Sequence, residues 1–519
     1  MPPAPKGALG EDTTPRFALQ TVSFDGAKEL PASRLDAAWA TFRGKQVSLA
    51  DLRAIGRNAE GIYAKAGYPF VAIVLQVQEV KDGVVHFSVV EGKITNLTVL
   101  GTDPTARRQA TVMLAPLIDR APLALSDVEE AYDLARLTPG LGISGALRRG
   151  DEPGGMDLVI NAKRPEIVRV YVNINNLYPA AVGPWGMLVG ADYYGTSKYG
   201  DDLSGQIYTS IPFGRQILAR GSYAFGLDDS GTRVTISGLW GNANPRDFPG
   251  AAPLELATDI AAVRIEASQP LIELHNRTLL ADVAFDISDQ RTRVFRTAPL
   301  SDDKLRIFSA SLLGEQSGDW GRISGSVEIH QGADIFGASR RGDPNLSRPG
   351  GDPEATVFKA SLEGETPTFH YVTLAGRADF QDTGQQLTAP DQYAFGNLTI
   401  GRGYEPGTAL GDRVVAGSAE LRLGPFPVTK VFQLQPYAFV DSGLLFVRGS
   451  PSQSLTSVGG GVRFQVPNKV QFDLVYASPQ NALTGLRRPS PEVLLNMTVG
   501  INDLFAAIHK RIATADSKQ

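Results

Sequence analysis

The chain has 519 residues, with 50 Lys and Arg against 55 Asp and Glu, a formal net charge of -5 and no cysteine. That balance argues against a partner held by phosphate neutralisation, so no nucleic acid is expected. The absence of cysteine excludes disulfides and thiolate metal sites, and suits a protein that crosses an oxidising periplasm. No run of about 18 apolar residues exists, so no transmembrane helix is predicted. A chain this long divides into several domains unless one large barrel absorbs most of it.

The opening MPPAPKGALGEDTTPR lacks the basic-then-apolar pattern of a secretory signal. Either the signal has been removed from this chain or the protein is cytosolic. Residues 1–16 are read as an extension, followed by two modules with the same order of elements, at 17–92 and 93–164. In the first, FALQTVSFDG reads as a strand, LDAAWATF and LADLRAIGRNAEGIYAKAG as helices, and AIVLQVQEV and VVHFSVVEG as a closing strand pair. Leu52, Ile55, Ala59 and Ile62 recur at helical spacing and are expected to cover its sheet. The second copy runs ITNLTVLG, ARRQATVMLAPL, SDVEEAYDLARLT, ISGALRRG and MDLVINAKR. Two βααββ modules of about 75 residues each are within the size that folds alone. Pattern alone leaves them equally open to a binding role and to none.

From Ile167 the helical period gives way to alternation. IVRVYVNIN sets Val168, Val170, Val172 and Ile174 against Arg169, Tyr171, Asn173 and Asn175, and VQFDLVYAS and VLLNMTVGI repeat the arrangement. Turn signals divide residues 165–505 into sixteen strands, starting near 167 and ending with one near 491. An even number of strands of about ten residues, each with one apolar and one polar face, predicts a 16-stranded antiparallel membrane β-barrel. Closure pairs every backbone group that lipid would leave unsatisfied. Short connections such as TSKYG, DDSGT, ELHN and GDWG fall on the side of the amino-terminal modules. Longer ones, including GADIFGASRRGDPNLSRPGGDPEA and SPQNALTGLRRPS, fall on the other, with IPFG near Pro212 unexpectedly tight.

Four stretches carry a family resemblance: QEVKDGVVHFSVVEGKITNLTVLG with Glu91 and Gly92, SQPLIELHNRT, IGRGYEPG, and FVDSG from Phe439 to Gly443. In that order they resemble the TpsB outer-membrane transporters of two-partner secretion, of the haemolysin and adhesin secretion type. The resemblance implies that both modules are periplasmic POTRA domains and that residues 385–411 are the long sixth loop, folded back into the barrel. It further implies that Arg402 of this loop meets Asp441 on the wall, with Gly403 allowing close approach and Tyr404 packing against the lumen. A guanidinium fork suits a carboxylate because two hydrogen bonds fix direction as well as contact. Spacing alone favours Arg402 as a solvated loop residue and Asp441 as one of many lumen charges; the resemblance is what favours the pair.

The function expected is export of an unfolded, TpsA-like client through the barrel without ATP, after the client adds to a strand edge of the first module. That edge is predicted at Ala72–Val80, with Ala72, Val74, Gln76, Gln78 and Val80 as its binding positions, and Asn173, Asn175, Gln471 and Asn496 offer a polar lumen. The chain is expected to work as a monomer among outer-membrane lipids, with no cofactor and no enzymatic activity. The alternatives are an assembly factor of the same superfamily, against which two modules rather than three or five speak, and a passive porin, which has no use for peptide-binding modules. GRGYEPG is not G-x-G-x-x-G, no G-x-S-x-G elbow is present, and histidines 86, 275, 330, 370 and 509 lack metal-ligand spacing. Two departures from the family pattern stand: no plug helix is evident before Phe17, and a tail, residues 506–519, follows the last strand. The tail is either a frayed end or a short amphipathic helix.

Overall fold

The computed structural model describes residues 16–246, 254–429, 432–466, 469–483 and 485–501. The tail and all but Arg16 of the extension therefore lie outside the described residues. Two compact units form, one from the chain up to Arg136 with Leu141–Arg164, the other from Leu137–Gly140 with the chain from Pro165 onward.

The first unit contains two three-stranded sheets of the same topology. In one, Val84–Val90 lies centrally, parallel to Thr21–Asp25 and antiparallel to Ala72–Leu75. In the other, Gly155–Lys163 lies centrally, parallel to Lys93–Leu100 and antiparallel to Gly142–Arg149. The helix Leu49–Lys65 starts where Ser48 and Asp51 form a reciprocal capping box, which satisfies donors that the first turn would leave free. Leu52, Ile55 and Ala59 are buried as their spacing predicts, but Tyr63 takes the fourth place expected of Ile62. Three spacings of three or four residues drift around the helix, and the position facing the core falls one residue later than the pattern suggests. LDAAWATF forms 3-10 turns after a short helix, Ala32–Leu35, instead of one helix.

The second unit is a closed antiparallel barrel. Among the described residues it has sixteen long strands, from Val168–Asn175 to Glu492–Gly500, plus a two-residue pairing at Phe426–Pro427. Closure between the last strand and the first runs from Asn496 opposite Asn175 to Gly500 opposite Tyr171. Short turns join strands at the end where the first strand begins, the near end; the longer connections lie at the far end, where the third and fourth strands are joined tightly between Ile211 and Gln216.

Large apolar side chains face outward. Trp185, Trp240, Phe308, Phe358, Phe380 and Phe446 mark the far margin of this band, and Tyr193, Trp320, Tyr371 and Phe426 the near one. Paired aromatic girdles at the two interfaces are the mark of a membrane-spanning barrel. The expectation of about ten residues per strand fails at the sixth, seventh and eighth, Ala257–Leu274, Arg277–Val294 and Ala298–Gly318, of 18, 18 and 21 residues. Their outer faces change from Val263, Val283 and Phe308 to Asp259, Arg291, Arg293 and Asp302 towards the far end, paired as Arg291–Asp302 and Arg293–Asp259. The extra length is therefore hydrated hairpin standing above the apolar band.

Candidate functional site

The sixth loop joins the eleventh strand, Val372–Thr383, to the twelfth, Arg413–Leu423, and carries a small hairpin of Tyr393–Phe395 paired with Ala409–Gly411. Its tip places Arg402 against the thirteenth strand, Gln433–Phe446. The Arg402 Nε and Nη2 donate to the two oxygens of Asp441 at 3.0 and 2.6 Å, and the Arg402 backbone N–H donates to Oδ2 at 2.9 Å. Ser418 Oγ donates to Asp441 Oδ1 at 2.8 Å and Ser457 Oγ to Oδ2 at 3.4 Å, so the carboxylate is fully subscribed. Side-chain exposure is 16% for Arg402 and 1% for Asp441. The guanidinium carbon lies 3.6 Å from the centre of the Phe439 ring, which adds cation–π attraction to the ion pair.

Gly403 and Tyr404 complete the tip. A Cβ on residue 403 would lie 2.8 Å from both the Pro479 nitrogen and the Ser457 Cβ, so only glycine lets the turn approach the wall this closely. Tyr404 is fully buried in a cluster with Phe395, Ile400, Val414, Leu445 and Leu455. Its Oη sits 2.9 Å from the Thr456 carbonyl oxygen and 3.0 Å from that of Asn481, tying the loop to two far-end segments. Tyr404→Phe is expected to cost about 1 kcal/mol of barrel stability in urea unfolding, with packing retained.

Sequence reasoning missed the second acceptor. Glu420 Oε1 accepts from Arg402 Nη1 at 2.5 Å and Arg463 Nη2 at 3.1 Å, while Oε2 accepts from Arg422 Nε at 2.8 Å and Arg463 Nη1 at 3.1 Å. Arg463 also stacks 4.1 Å from the centre of the Tyr437 ring, whose hydroxyl donates to Asp473 at 2.8 Å. The alternation of Ser418, Glu420 and Arg422 already put these residues on one face; only the register that sets Ser418 opposite Asp441 shows which neighbours they meet.

A separate set of contacts holds the root of the loop. Asp412 accepts from Arg348 of the far-end loop at 333–355, from the backbone of Leu387 and Arg448, and from Gln392. Asp391 lies 3.1 Å from His330 on the ninth strand, and the Tyr393 hydroxyl donates to Asp379 at 2.8 Å. His330 thus has a structural partner. The lumen residues Asn173, Asn175 and Asn496 meet at the closure: Asn173 donates to Asn496 at 2.7 Å and to Thr498 at 2.8 Å, and Asn175 donates to Asn173 at 2.7 Å. Gln471 is exposed on the fifteenth strand.

In the first unit the predicted edge needs correction. The strand covers Ala72–Leu75 only, so Ala72 and Val74 lie on it and Gln76, Gln78 and Val80 do not. The Gln78 side chain donates to the His86 carbonyl at 2.7 Å and accepts from the His86 N–H at 2.8 Å, taking the main-chain partners a longer strand would use. The Glu60 carboxylate accepts from the Ile73 N–H at 3.3 Å, beside the helix. Glu91, named in the resemblance, accepts from the backbone N–H groups of Lys28 and Glu29, both at 2.9 Å, and from the Tyr63 hydroxyl at 3.3 Å. Burial and the Glu91 charge push the Tyr63 phenol up to about 12, so it remains a neutral donor. A Cβ on Gly92 would fall 2.1 Å from the Phe70 carbonyl oxygen. Gly92→Ala is therefore expected to shift this backbone and raise hydrogen–deuterium exchange across residues 68–92 of the full-length protein, leaving barrel exchange unchanged.

Residues 17–92 match the family model described as POTRA domain, ShlB-type, and residues 276–464 match that of the haemolysin secretion/activation protein ShlB/FhaC/HecB. The heme/hemopexin transporter protein HuxB of Haemophilus influenzae is 21% identical over 459 residues, 84% of this chain and 78% of HuxB. The outer membrane transporter CdiB of Escherichia coli is 24% identical over 174 residues, 34% of this chain and 29% of CdiB. The solved structure of CdiB from Escherichia coli superposes with a TM-score of 0.79 at 18% identity, covering 96% of this chain and 92% of that one. CdiB from Acinetobacter baumannii gives 0.69 at 14% identity, covering 96% and 93%. At these identities the structural matches speak to fold alone.

Proposed function

The chain belongs to the haemolysin secretion/activation family of outer-membrane transporters, with its barrel in the outer membrane and its POTRA region in the periplasm, and from that premise we propose how it moves its client. A secreted polypeptide, unfolded in the periplasm, is captured there and threaded through the barrel, and the sixth loop is the latch that its passage must displace. The observation that carries this reading is the Arg402–Asp441 pair, buried on the lumen side of the wall and reinforced by Glu420. A loop held by hydrogen bonds and ion pairs, not by a continuous strand, can be released without opening the sheet.

The second module repeats the sheet order of the first, which supports reading it as a second POTRA domain, with the domains divided at 17–92, 93–164 and 165–505. Client capture starts on the first module at Ala72 and Val74, where main-chain pairing offers affinity with little demand on sequence. Glu60 and Gln78 limit that edge, so only a short stretch of client is held at a time. That HuxB and CdiB are transporters supports a secreted protein as cargo and no chemical step. The transporter acts as a monomer with lipid around its wall, and the periplasm supplies no ATP.

Deleting residues 17–92 tests the proposal. Export of the dependent secreted protein is expected to fall to background while the barrel still inserts. Undiminished export would remove the capture step; loss of unrelated outer-membrane barrels from the same cells would favour an assembly factor instead. Arg348→Ala removes the charged partner of Asp412 at the loop root and is expected to increase protease cleavage within 384–412 several-fold, with the tip contacts intact.

A further inference from the structure

The far-end loop at residues 333–355, which bears Arg348, leaves the ninth strand and runs back along the free edge of the long eighth strand. Ala333 N–H donates to the Arg306 carbonyl at 2.8 Å, Ser339 N–H to that of Lys304 at 2.9 Å, and Asp302 N–H to that of Asn345 at 2.6 Å. Between these contacts stands Phe336, with a φ of 47° and 72% of its surface exposed. A bulky side chain in the left-handed region costs energy, and a large exposed ring costs more in water. The fold nonetheless fixes both. Arg306, itself only 5% exposed, donates through Nε and Nη2 to the Phe336 carbonyl at 3.3 and 3.2 Å while its Nη1 holds Asp289 at 2.7 Å. A buried guanidinium is thereby committed to presenting one exposed aromatic ring.

The position of that ring identifies its surroundings. Phe336 makes an edge contact with Phe285, ring centres 6.1 Å apart, and Phe285 packs at a tilt against Phe308, ring centres 4.6 Å apart. Phe285 and Phe308 are register partners, in line with the outward-facing Ile265. Towards the far end, the same outer faces carry Asp289, Arg291 and Asp302 within a few residues. Phe336 therefore sits where apolar wall gives way to charge, continuous with the aromatic girdle, but supplied by a loop. Rings at this level partition into the boundary between acyl chains and headgroups.

We infer that the 333–355 loop is a membrane-interface anchor, with Phe336 inserted among the acyl chains of the outer leaflet and Arg306 as the bracket that aims it. Because the same loop supplies Arg348 to Asp412, the anchor ties the root of the sixth loop to the lipid surface. The inference rests on the barrel's place in the outer membrane.

The chain has no native cysteine, so single nitroxide labels at Phe336→Cys, Phe308→Cys and Arg341→Cys can be read in full-length protein reconstituted in phospholipid vesicles. Collision with oxygen, which concentrates in lipid, is compared with collision with a water-soluble nickel chelate. Labels at 308 and 336 are expected to favour oxygen, and the label at 341 the nickel complex. A label at 336 that behaves like 341 while 308 stays in lipid would overturn the anchor alone; nickel access at 308 as well would overturn the membrane placement beneath it. Adding Arg306→Ala is expected to move the 336 label towards nickel access. An unchanged label in that background would refute the bracket.

Discussion

Arg402→Ala is expected to release the tip of the sixth loop, raise steady pore conductance in planar bilayers and cut export of the client severalfold, with barrel insertion unchanged. The substitution removes three side-chain donors and the stacking on Phe439. Asp441, at 1% side-chain exposure, would keep only hydroxyl partners, Ser418 and Ser457, with the Arg402 backbone N–H lost as the tip moves. An uncompensated buried charge of this kind costs about 3–5 kcal/mol, and the surviving hydroxyls put the loss towards the lower figure. The double variant Arg402→Ala with Asp441→Ala removes the stranded charge and should recover part of the stability but none of the latch. Conductance and barrel stability thus separate: unfolding midpoints improve from the single to the double variant while the pore stays open. Conductance that does not change in either would reduce the pair to a structural tie.

Much of this architecture was legible in the amino-acid pattern because a membrane wall makes the pattern strict. Alternation in VQFDLVYAS and VLLNMTVGI has to assign each residue to lipid or lumen, and turn residues count the strands. The family resemblance carried by IGRGYEPG and FVDSG, and not their spacing, then brought Arg402 and Asp441 into view as a pair. What the pattern could not supply was anything set by three-dimensional register or by competition among side chains. Glu420 shares a face with Ser418 and Arg422 by alternation, yet its three arginines come from the loop, its own strand and the fourteenth strand, so no spacing joins them. The edge AIVLQVQEV alternates well enough to read as a full strand; it stops at Leu75 because the Gln78 amide competes for the His86 backbone. Period alone cannot detect that competition. Strand length at the sixth to eighth strands was underestimated for a related reason: above the lipid, the outward positions turn charged and the alternation that counts residues fades.

Glu420→Ala should be at least as damaging to the barrel as loss of Arg402, although Glu420 is not part of the loop. Its carboxylate is the shared acceptor of Arg402, Arg422 and Arg463, and the three retain unequal partners without it. Arg402 keeps Asp441, and Arg422 keeps Glu365 at 2.9 Å, but Arg463 is left with Asp473 at 3.5 Å and its stacking on Tyr437. Three guanidinium groups would then face one another across a partly dry lumen. Breaking a buried network by removing its acceptor costs about 3–5 kcal/mol, and here mutual repulsion adds to the lost hydrogen bonds. The repulsion is electrostatic and partly open to solvent, so raising salt from about 0.01 to 1 M, which shortens the screening length roughly tenfold, should restore part of the urea midpoint. It should not do so in Tyr404→Phe, which loses a neutral hydrogen bond. Arg463→Leu placed in the Glu420→Ala background should restore more than salt does, because it removes the worst-paired cation and leaves an apolar side chain beside Tyr437. Because Arg402 still reaches Asp441 in that double variant, its pore should stay latched while that of Arg402→Ala conducts. An open pore in the double variant would mean that Glu420, and not Asp441, is the residue on which the loop is held.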